Sequence, residues 1–317
     1  NDYGLALTLG GGEVTLLEMT GAYATLANSG QRVFPVAITR ITYPSGATVC
    51  EQPTRPGEVK TGEDGTPLPT CQAAPPNWGA QAVSPDHAFL ISDILADNHA
   101  RSLAFGPNST LRLSFSAAVK TGTTNDYRDN WTVGYAPNLP VGVWVGNADF
   151  TPMAQGVSGV TGAGPIWHNV MEGAWAALGT QPALFTQPQS VTIANICAAT
   201  GAAENDYCRA IVDPKRPNEP TVRSEFFTQG QPPLPADRDL VAKIFLDKFS
   251  GLRASEVCNA KNPETAEEKT VVNLADPFAL EWLEKNEQGQ KWAAILGIAF
   301  PITPAPFKSK SAASASF

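Results

Sequence analysis

One short stretch of this chain brings together the residue types that hold an anionic group. Lys120, Thr121, Gly122, Thr123 and Thr124 follow directly on a run of alanine and valine. The lysine supplies positive charge, the threonine hydroxyls supply directed hydrogen bonds, and a strand edge would supply backbone N–H donors. This combination suits acyl transfer on a peptide-like substrate. By themselves, the same residues are also compatible with an exposed lysine before an ordinary Thr-Gly turn.

The glycine patterns do not indicate a nucleotide site. Val119 stands where a phosphate-binding loop requires glycine, and Thr15 occupies the last position of the GxGxxG pattern that starts at Gly10. The triple glycine is therefore interpreted as the entry to a helix, and no cofactor is expected. Acidic residues outnumber basic ones 30 to 22, with a net charge of −8, so a nucleic-acid partner is not expected either.

Length and composition predict two domains. The chain has 317 residues, of which 43% are hydrophobic, and single domains usually hold about 100–200 residues. We place the first domain at residues 1–180 and a smaller extension at 181–317, whose tail from Lys308 is expected to be disordered. The sequence starts almost directly on a helical pattern, so we expect it to be part of a longer protein.

Hydrophobic periodicity predicts the elements that would position the Lys-Thr-Gly stretch. Residues 15–29 have helical spacing with Thr15 as a cap, and Ser84-Pro85-Asp86 begins a second helix that runs to about Asn98. Strands are expected over 111–119, 131–136 and 141–145 as three consecutive antiparallel strands, after a hairpin over 33–49. A helix over 164–178 follows. The extension is expected to hold a strand at 191–196 and helices at 237–249 and 277–289.

Five cysteines leave two interpretations open. The local spacings of Cys50 with Cys71 and of Cys197 with Cys208 suit two disulfides in an oxidising compartment, with Cys258 left over. The count is equally compatible with unpaired thiols. No pair has CxxC spacing, and the three histidines are far apart in sequence. A compact zinc motif is thus absent from the sequence, and we expect no protein-bound metal.

The wider sequence context around Lys120 is similar to a known family. The run 120–126, then Arg128-Asp129-Asn130-Trp131-Thr132-Val133-Gly134-Tyr135, then 141–147, resembles the transpeptidase domain of class A, bifunctional penicillin-binding proteins. Residues 161–167 resemble the segment that follows in that family, and 13–30 resemble the helix that precedes. Cys197, Gly201, Cys208 and the 226–230 run are similar to the family's extension. The resemblance covers most of residues 1 to about 235.

The resemblance implies a fold and a site. The fold is α+β and penicillin-recognising, with an antiparallel sheet flanked by helices, here incomplete at the amino end. Lys120 would provide the positive field, while the hydroxyls of Thr121 and Thr123 would bind the terminal carboxylate of a peptidoglycan stem peptide or a β-lactam. The backbone N–H of Thr123 would be an oxyanion donor. Asp129 and Trp131 are interpreted as structural residues.

The sequence departs from the family pattern in one respect that bears on activity. The family uses a Ser-x-x-Lys pair and a Ser-x-Asn loop, and neither spacing occurs here. Ser116 precedes Lys120 by four residues, not three, and is rejected as nucleophile. We therefore expect the carboxy-terminal part of a peptidoglycan D,D-transpeptidase that is inactive and poorly stable alone. Its parent would be extracytoplasmic and membrane-anchored.

Two other functions are kept as alternatives. The first is a non-catalytic cell-wall protein that binds stem peptides or acts as a scaffold, which would need the Lys-Thr-Gly stretch but no nucleophile. The second is a carboxypeptidase or β-lactamase of the same fold, which the residues around Trp131 and Trp144 disfavour.

Overall fold

The computed structural model describes residues 4–205, 208, 218–249, 264–272, 277–295 and 298. The chain divides into two compact units, Asn1–Gln189 and Ser190–Phe317. This division assigns residues 181–189 to the first unit, whereas the sequence analysis placed them in the extension. The predicted disorder of the tail from residue 308 concerns residues outside those that the structure describes.

The first unit is built on a three-stranded antiparallel sheet. Its strands are β3 (Ala118–Thr123), β4 (Asp129–Ala136) and β5 (Leu139–Gly146), in the order β3-β4-β5. Three consecutive antiparallel strands were expected, but the first was misplaced. The predicted strand 111–119 is wrong, because Leu111, Leu113 and Ala117 pack into the hydrophobic core without strand pairing. The strand starts at Ala118, so the Lys-Thr-Gly residues lie within it.

The described part of the first unit has four α-helices. They are α1 (Leu16–Ala27), α2 (Pro85–Ala96), α3 (Asn98–Phe105) and α4 (Gly164–Leu178). The Thr15 hydroxyl and the Glu18 carboxylate form a capping box on α1, and Ser84 Oγ accepts from His87 N at the start of α2. The single helix predicted up to Asn98 is interrupted at Asp97, whose extended backbone ends α2 and whose carboxylate caps α3.

Helices cover both faces of the sheet. On one face, Trp167 and Met171 of α4 are fully buried against Val119. A Cβ at Gly134 would lie 2.5 Å from the Trp167 ring, so glycine is what allows this close packing. On the other face, the side chains of Leu16 and Thr20 of α1 occupy the space that a Cβ at Gly142 would fill. The sheet is thereby held between α1 and α4.

A hairpin precedes these elements and carries a disulfide. Strands β1 (Arg40–Thr42) and β2 (Thr48–Glu51) pair in antiparallel fashion, as the turn signal in 44–46 predicted. Cys50 on β2 is bonded to Cys71 with an S–S distance of 2.08 Å, which is the pairing that their spacing suggested. The disulfide attaches the proline- and glycine-rich stretch after β2 to the hairpin.

The described residues of the second unit form two antiparallel strand pairs and two α-helices. Strand β6 (Val191–Cys197) pairs with β7 (Val222–Thr228), and β8 (Val241–Asp247) pairs with β9 (Ala266–Val272). Helices α5 (Pro277–Lys285) and α6 (Glu287–Ile295) follow. The helix predicted over 237–249 is wrong, because residues 241–247 pair with β9 in an extended conformation, which Val241, Ile244 and Phe245 favour. Among the described residues, no helix is long and apolar enough to cross a membrane.

The candidate disulfide between Cys197 and Cys208 is not formed in the structure. Both cysteines are free and fully buried. The Cys208 thiol donates a hydrogen bond to Asn205 Oδ1 at 3.3 Å rather than bonding to the other sulfur. The two side chains belong to the core of the second unit, together with Val241, Leu283 and Ala293.

A buried polar contact joins α2 to the sheet. Tyr135 of β4 is fully buried, and its hydroxyl lies 2.8 Å from Ser92 Oγ. Ser92 Oγ donates to Ala88 O at 2.7 Å, so the tyrosine hydroxyl is the donor to Ser92. Tyr23 of α1 packs edge-on against the Tyr135 ring at 6.0 Å between centroids. Tyr135 thus connects α1 and α2 to the strand next to β3.

We predict that Tyr135→Phe lowers the free energy of unfolding by about 1–2 kcal/mol, because the buried hydrogen bond to Ser92 is lost. Chemical denaturation followed by fluorescence measures this change. Tyr43→Phe, at a side chain that is 59% exposed, is the matched control and should change stability by less than about 0.5 kcal/mol. Equal effects of the two substitutions would contradict this account of the contact.

The same tyrosine predicts a loss of stability at alkaline pH. Burial raises the pKa of Tyr135 from about 10 to about 12. Between these values the unfolded chain loses the tyrosine proton while the native chain keeps it, so the free energy of unfolding falls as pH rises. The free energy of unfolding, measured by denaturation at several pH values in this range, should therefore fall less steeply with pH for Tyr135→Phe than for the unsubstituted chain. Identical slopes would show that another group dominates.

Candidate active site

The Lys-Thr-Gly residues lie on the edge strand of the sheet. β3 pairs with β4 in the register Lys120↔Val133, Thr121↔Thr132, Gly122↔Trp131. In the part of the chain that the structure describes, no strand pairs with the other edge of β3. This edge therefore presents backbone donors and acceptors that a peptide in extended conformation can use.

Alternation along the strand decides which backbone groups reach the open edge. Thr124 N donates to Asp129 O at 3.0 Å, so the groups of residue 124 point toward β4. In an antiparallel pair, every second residue exchanges hydrogen bonds with the partner strand and those between point away. Residues 122 and 120 consequently face β4, whereas the N–H and C=O of Thr121 and Thr123 face outward. The N–H that was predicted as an oxyanion donor, that of Thr123, is on the open side.

The side chain of Lys120 returns to the same edge. Its ammonium donates to the carbonyl oxygen of Thr121 at 2.6 Å, and the residue is exposed. Because Thr121 O points outward, this hydrogen bond places the positive charge beside the open edge. The lysine and the outward backbone groups therefore face the same region of solvent beside the edge strand. A carboxylate bound there would meet one full positive charge at close range.

The two threonine hydroxyls lie on one face of β3. Thr121 is half-buried and Thr123 is exposed, and alternation puts both side chains on the face opposite Lys120 and Gly122. The Thr123 hydroxyl oxygen accepts a hydrogen bond from Gly159 N at 2.9 Å. An acceptor role leaves the hydroxyl proton available to donate to a bound anion. Thr123 is thereby oriented before any ligand binds.

A turn that the sequence analysis did not assign to the site provides this support. Residues Gly159–Ala163 form a π-type turn just before α4, and Thr132 Oγ1 of β4 donates to Gly159 O at 2.8 Å within the buried interior. A Cβ at residue 159 would lie 2.6 Å from Trp131 O and 2.7 Å from Gly122 O. Only glycine allows the turn to approach the strand backbone this closely. The signal in the sequence was the S-G-V-T-G run, which lies about 36 residues beyond Thr123 and gives no hint of this contact.

Asp129 fixes the end of the edge strand. Its carboxylate accepts from Trp144 Nε1 at 2.9 Å and from Thr124 Oγ1 at 3.1 Å, while its own N–H donates to Thr124 Oγ1 at 2.8 Å. Between these residues the chain turns through Asp126 and Tyr127, both in the left-handed region (φ 60° and 55°). These contacts support the structural role expected of Asp129. Trp131 pairs with Gly122 in the register of β3 and β4, which is consistent with the structural role expected of it.

The rejected serine has no place in this arrangement. Ser116 lies in an irregular segment that precedes β3, not on a helix. A Ser-x-x-Lys pair requires successive turns of one helix to bring both side chains together. The structure therefore groups Lys120, Thr121 and Thr123 at the open edge, with Gly122 between them in the strand and Thr124 directly after it.

The sequence and the fold are similar to those of known proteins. The family description "Penicillin binding protein transpeptidase domain" matches residues 3–172. This match spans more than half of the chain and includes the whole β3–β5 sheet and most of α4. The chain belongs to the penicillin-binding protein transpeptidase domain family.

Individual relatives point to the class A branch of that family. Penicillin-binding protein 1A of Neisseria gonorrhoeae is 31% identical over 191 residues, which is 60% of this chain and 21% of that protein. Penicillin-binding protein 2D of Bacillus subtilis is 29% identical over 210 residues, or 65% of this chain and 26% of the relative. The chain thus spans about a fifth to a quarter of the length of these relatives. The class A resemblance read from the sequence is confirmed.

A solved structure has the same fold. The crystal structure of penicillin-binding protein 1A from Haemophilus influenzae superposes with a TM-score of 0.52 over 72% of this chain and 34% of its own, at 24% sequence identity. The α+β fold expected from the sequence is therefore confirmed.

The turn at Gly159 generates a testable prediction. Gly159→Ala should lower the free energy of unfolding by about 1–3 kcal/mol, because the added Cβ has no space against the strand backbone. Gly173→Ala is the matched control: it lies in α4 with no atom within 4 Å of the added Cβ, and should stabilise by about 0.5–1 kcal/mol. Thermal and chemical denaturation measure both. A Gly159→Ala protein as stable as the unsubstituted chain would refute the close contact.

Proposed function

We propose that the open edge of β3 is one wall of a peptidoglycan D,D-transpeptidase site. In this proposal, the edge binds the D-Ala-D-Ala end of a stem peptide, or a β-lactam that resembles it. The observation that carries the proposal is the convergence of the Lys120 ammonium with the outward backbone groups of Thr121 and Thr123. The Lys120 ammonium attracts and orients the terminal carboxylate, while the outward backbone groups of Thr121 and Thr123 align an extended peptide along the strand.

Each residue has a defined part in the proposed reaction. A serine would attack the carbonyl of the penultimate D-alanine, which places negative charge on the carbonyl oxygen. The Thr123 N–H faces outward and would donate to this oxyanion. The terminal D-alanine leaves, and the acyl group passes from the serine to the amine of another stem. The hydroxyls of Thr121 and Thr123, with the charge of Lys120, would hold the leaving residue by its carboxylate until the bond breaks.

The nucleophile in this proposal comes from outside the 317 residues. The sequence contains neither Ser-x-x-Lys nor Ser-x-Asn spacing, and the relatives are several times longer than the matched region. The surface of the helices supports the same view. None of the twelve residues of α1 is buried, although its sequence is largely apolar, and Leu17 and Ile94 are 62% and 66% exposed. Apolar surface of this kind is what a further part of the protein would cover.

The rest of the functional assignment follows from the class A relationship. We propose that the parent protein is anchored in the cell membrane and acts on the extracytoplasmic side, where peptidoglycan is cross-linked. The Cys50–Cys71 disulfide fits an oxidising compartment. No step of the proposed reaction uses a cofactor, because the chemistry is proton transfer and acyl transfer alone.

A non-catalytic role is the second candidate. A protein that binds stem peptides would need the charged edge but no Ser-x-x-Lys pair, and the sequence has this combination. Both candidates expect the chain to bind stem peptides, but only the transpeptidase would acquire acyl-transfer activity once a serine-bearing part is supplied.

We predict that a fluorescent penicillin does not label this chain covalently, since the site lacks the serine that would be acylated. Gel fluorescence after incubation and denaturation measures the labelling. The chain mixed with a separate polypeptide that carries the Ser-x-x-Lys segment of a class A relative is the comparison, and the transpeptidase proposal expects a label on that added polypeptide. Strong labelling of this chain alone would contradict the proposal.

We also predict that Thr123→Val weakens the binding of an N-acyl-D-Ala-D-Ala peptide by about tenfold or more. The substitution keeps the shape of the side chain but removes the hydroxyl that donates to a charged carboxylate. Lys120→Met should weaken binding by a similar factor. Thr42→Val, an exposed residue on β1, is the matched control and should bind as the unsubstituted chain does. Calorimetry measures the affinities, and unchanged binding by both site variants would disprove the assignment.

A further inference from the structure

Three metal-ligating side chains meet in the core of the second unit. The Cys197 and Cys208 thiols and the Asp239 carboxylate place one ligand atom each within 4.8 Å of one another. Cys197 and Cys208 are 0% exposed and Asp239 is 1% exposed. The cluster lies outside the edge-strand site and has no part in the reaction proposed for it.

Three separate segments deliver these side chains. Cys197 ends β6, and its backbone is fixed by Cys197 N donating to Ala202 O at 2.8 Å. Cys208 N donates to Asn205 Oδ1 at 3.0 Å. Asp239 follows the short 3-10 helix Ala236–Arg238. Because the backbone of each segment is held by its own hydrogen bonds, the donor set is assembled before any ligand binds.

A fourth polar group completes the surroundings of the cluster. Asn205 Nδ2 donates to Asp239 Oδ2 at 3.3 Å, and Asn205 Oδ1 accepts from the Cys208 thiol at 3.3 Å. The Asn205 amide therefore lies between a sulfur and the carboxylate. It can orient the carboxylate as outer-sphere partners of metal sites do.

We propose that Cys197, Cys208 and Asp239 bind a thiophilic divalent cation, with Zn²⁺ as the expected ion. Two sulfurs and a carboxylate oxygen are a donor set that Zn²⁺ takes in tetrahedral geometry, at about 2.3 Å to sulfur and about 2.0–2.2 Å to oxygen. Such a tetrahedron separates its ligand atoms by about 3.5–3.8 Å, which is compatible with three donor atoms that all lie within 4.8 Å of one another. Binding exchanges the two thiol protons for the cation.

The carboxylate favours a cation over a bond between the two sulfurs. A disulfide would use the two thiols alone, whereas a divalent ion binds both sulfurs and the carboxylate oxygen that lies within 4.8 Å of them. The proposal departs from the metal-free protein expected from the sequence. That expectation rested on local ligand spacing, while the three donors here are separated by 11 and 31 positions in the chain.

The site would act as a structural link. Both cysteines belong to the small core of the second unit, with Val241, Leu283, Ala293 and Ile298 as its other buried members. A metal that joins the end of β6 to the segments around Cys208 and Asp239 contributes folding free energy to that core. The role is therefore stability of the second unit, with no direct contribution to catalysis.

Cobalt substitution tests the proposal on the full chain. The protein is prepared reduced and metal-free, then titrated with Co²⁺ and afterwards with Zn²⁺. We expect one equivalent of Co²⁺ with the near-ultraviolet absorption of a thiolate-to-cobalt transition and the visible bands of tetrahedral coordination. Zn²⁺ should displace the cobalt and raise the melting temperature in a concentration-dependent way.

Three variants and one control identify the ligands. Cys197→Ser and Cys208→Ser should each lose about half or more of the thiolate absorption, because one of the two sulfurs is removed. Asp239→Asn should retain the absorption but bind at least about tenfold more weakly. Cys258→Ser removes the fifth cysteine of the sequence, which is not one of the three proposed ligands, and should bind as the unsubstituted chain does. If the cysteine variants fail to fold, the titrations of the unsubstituted chain and of Asp239→Asn still test whether the site binds a metal.

Two results would overturn the proposal. One is the absence of thiolate-to-cobalt absorption in the reduced chain at millimolar Co²⁺. The other is a Cys197–Cys208 disulfide, found by peptide mapping of chain purified without reductant.

Discussion

The antiparallel pairing of β3 with β4 is the constraint on which the candidate site depends. Because pairing consumes the backbone groups of every second residue, the position of one hydrogen bond, Thr124 N to Asp129 O, decides which groups face outward. A shift by one residue would turn the Thr123 N–H into the sheet and move its side chain to the other face. The register of β3 with β4 therefore determines which chemical groups the edge presents to a ligand.

Several contacts outside the Lys-Thr-Gly stretch hold that register. Asp129 ties the end of β4 to Thr124 and Trp144, and the turn at Gly159 contacts the strand from the side of α4. Beneath them, Tyr135 joins the sheet to α2 through Ser92. These contacts leave the outer edge of β3 exposed. The strand is therefore rigidly supported and accessible at the same time. Binding groups that are fixed before the ligand arrives lose little conformational entropy when they act.

Local signals in the sequence predicted much of this fold but not its long-range contacts. The alternation in β4 and β5 and the caps at Thr15 and Ser84 were sufficient to place those elements. The start of β3 was missed because the apolar residues before it pack in the core without strand pairing, and β8 was taken for a helix because its partner β9 was not recognised. The Lys-Thr-Gly residues were found by type and by family resemblance. Gly159 and the cluster of Cys197, Cys208 and Asp239 were not, since each depends on segments that meet only in the folded chain.

The central claim is that the open edge of β3 binds the carboxyl end of a stem peptide. The most direct test follows the backbone amides of the ¹⁵N-labelled chain by NMR during titration with an N-acyl-D-Ala-D-Ala peptide. The account predicts that the largest shift changes occur at the outward-facing amides of Thr121 and Thr123, with smaller changes at Gly122 and Thr124, whose amides face β4. Changes confined to other parts of the chain, or an equal response to the L-Ala-L-Ala peptide, would contradict it.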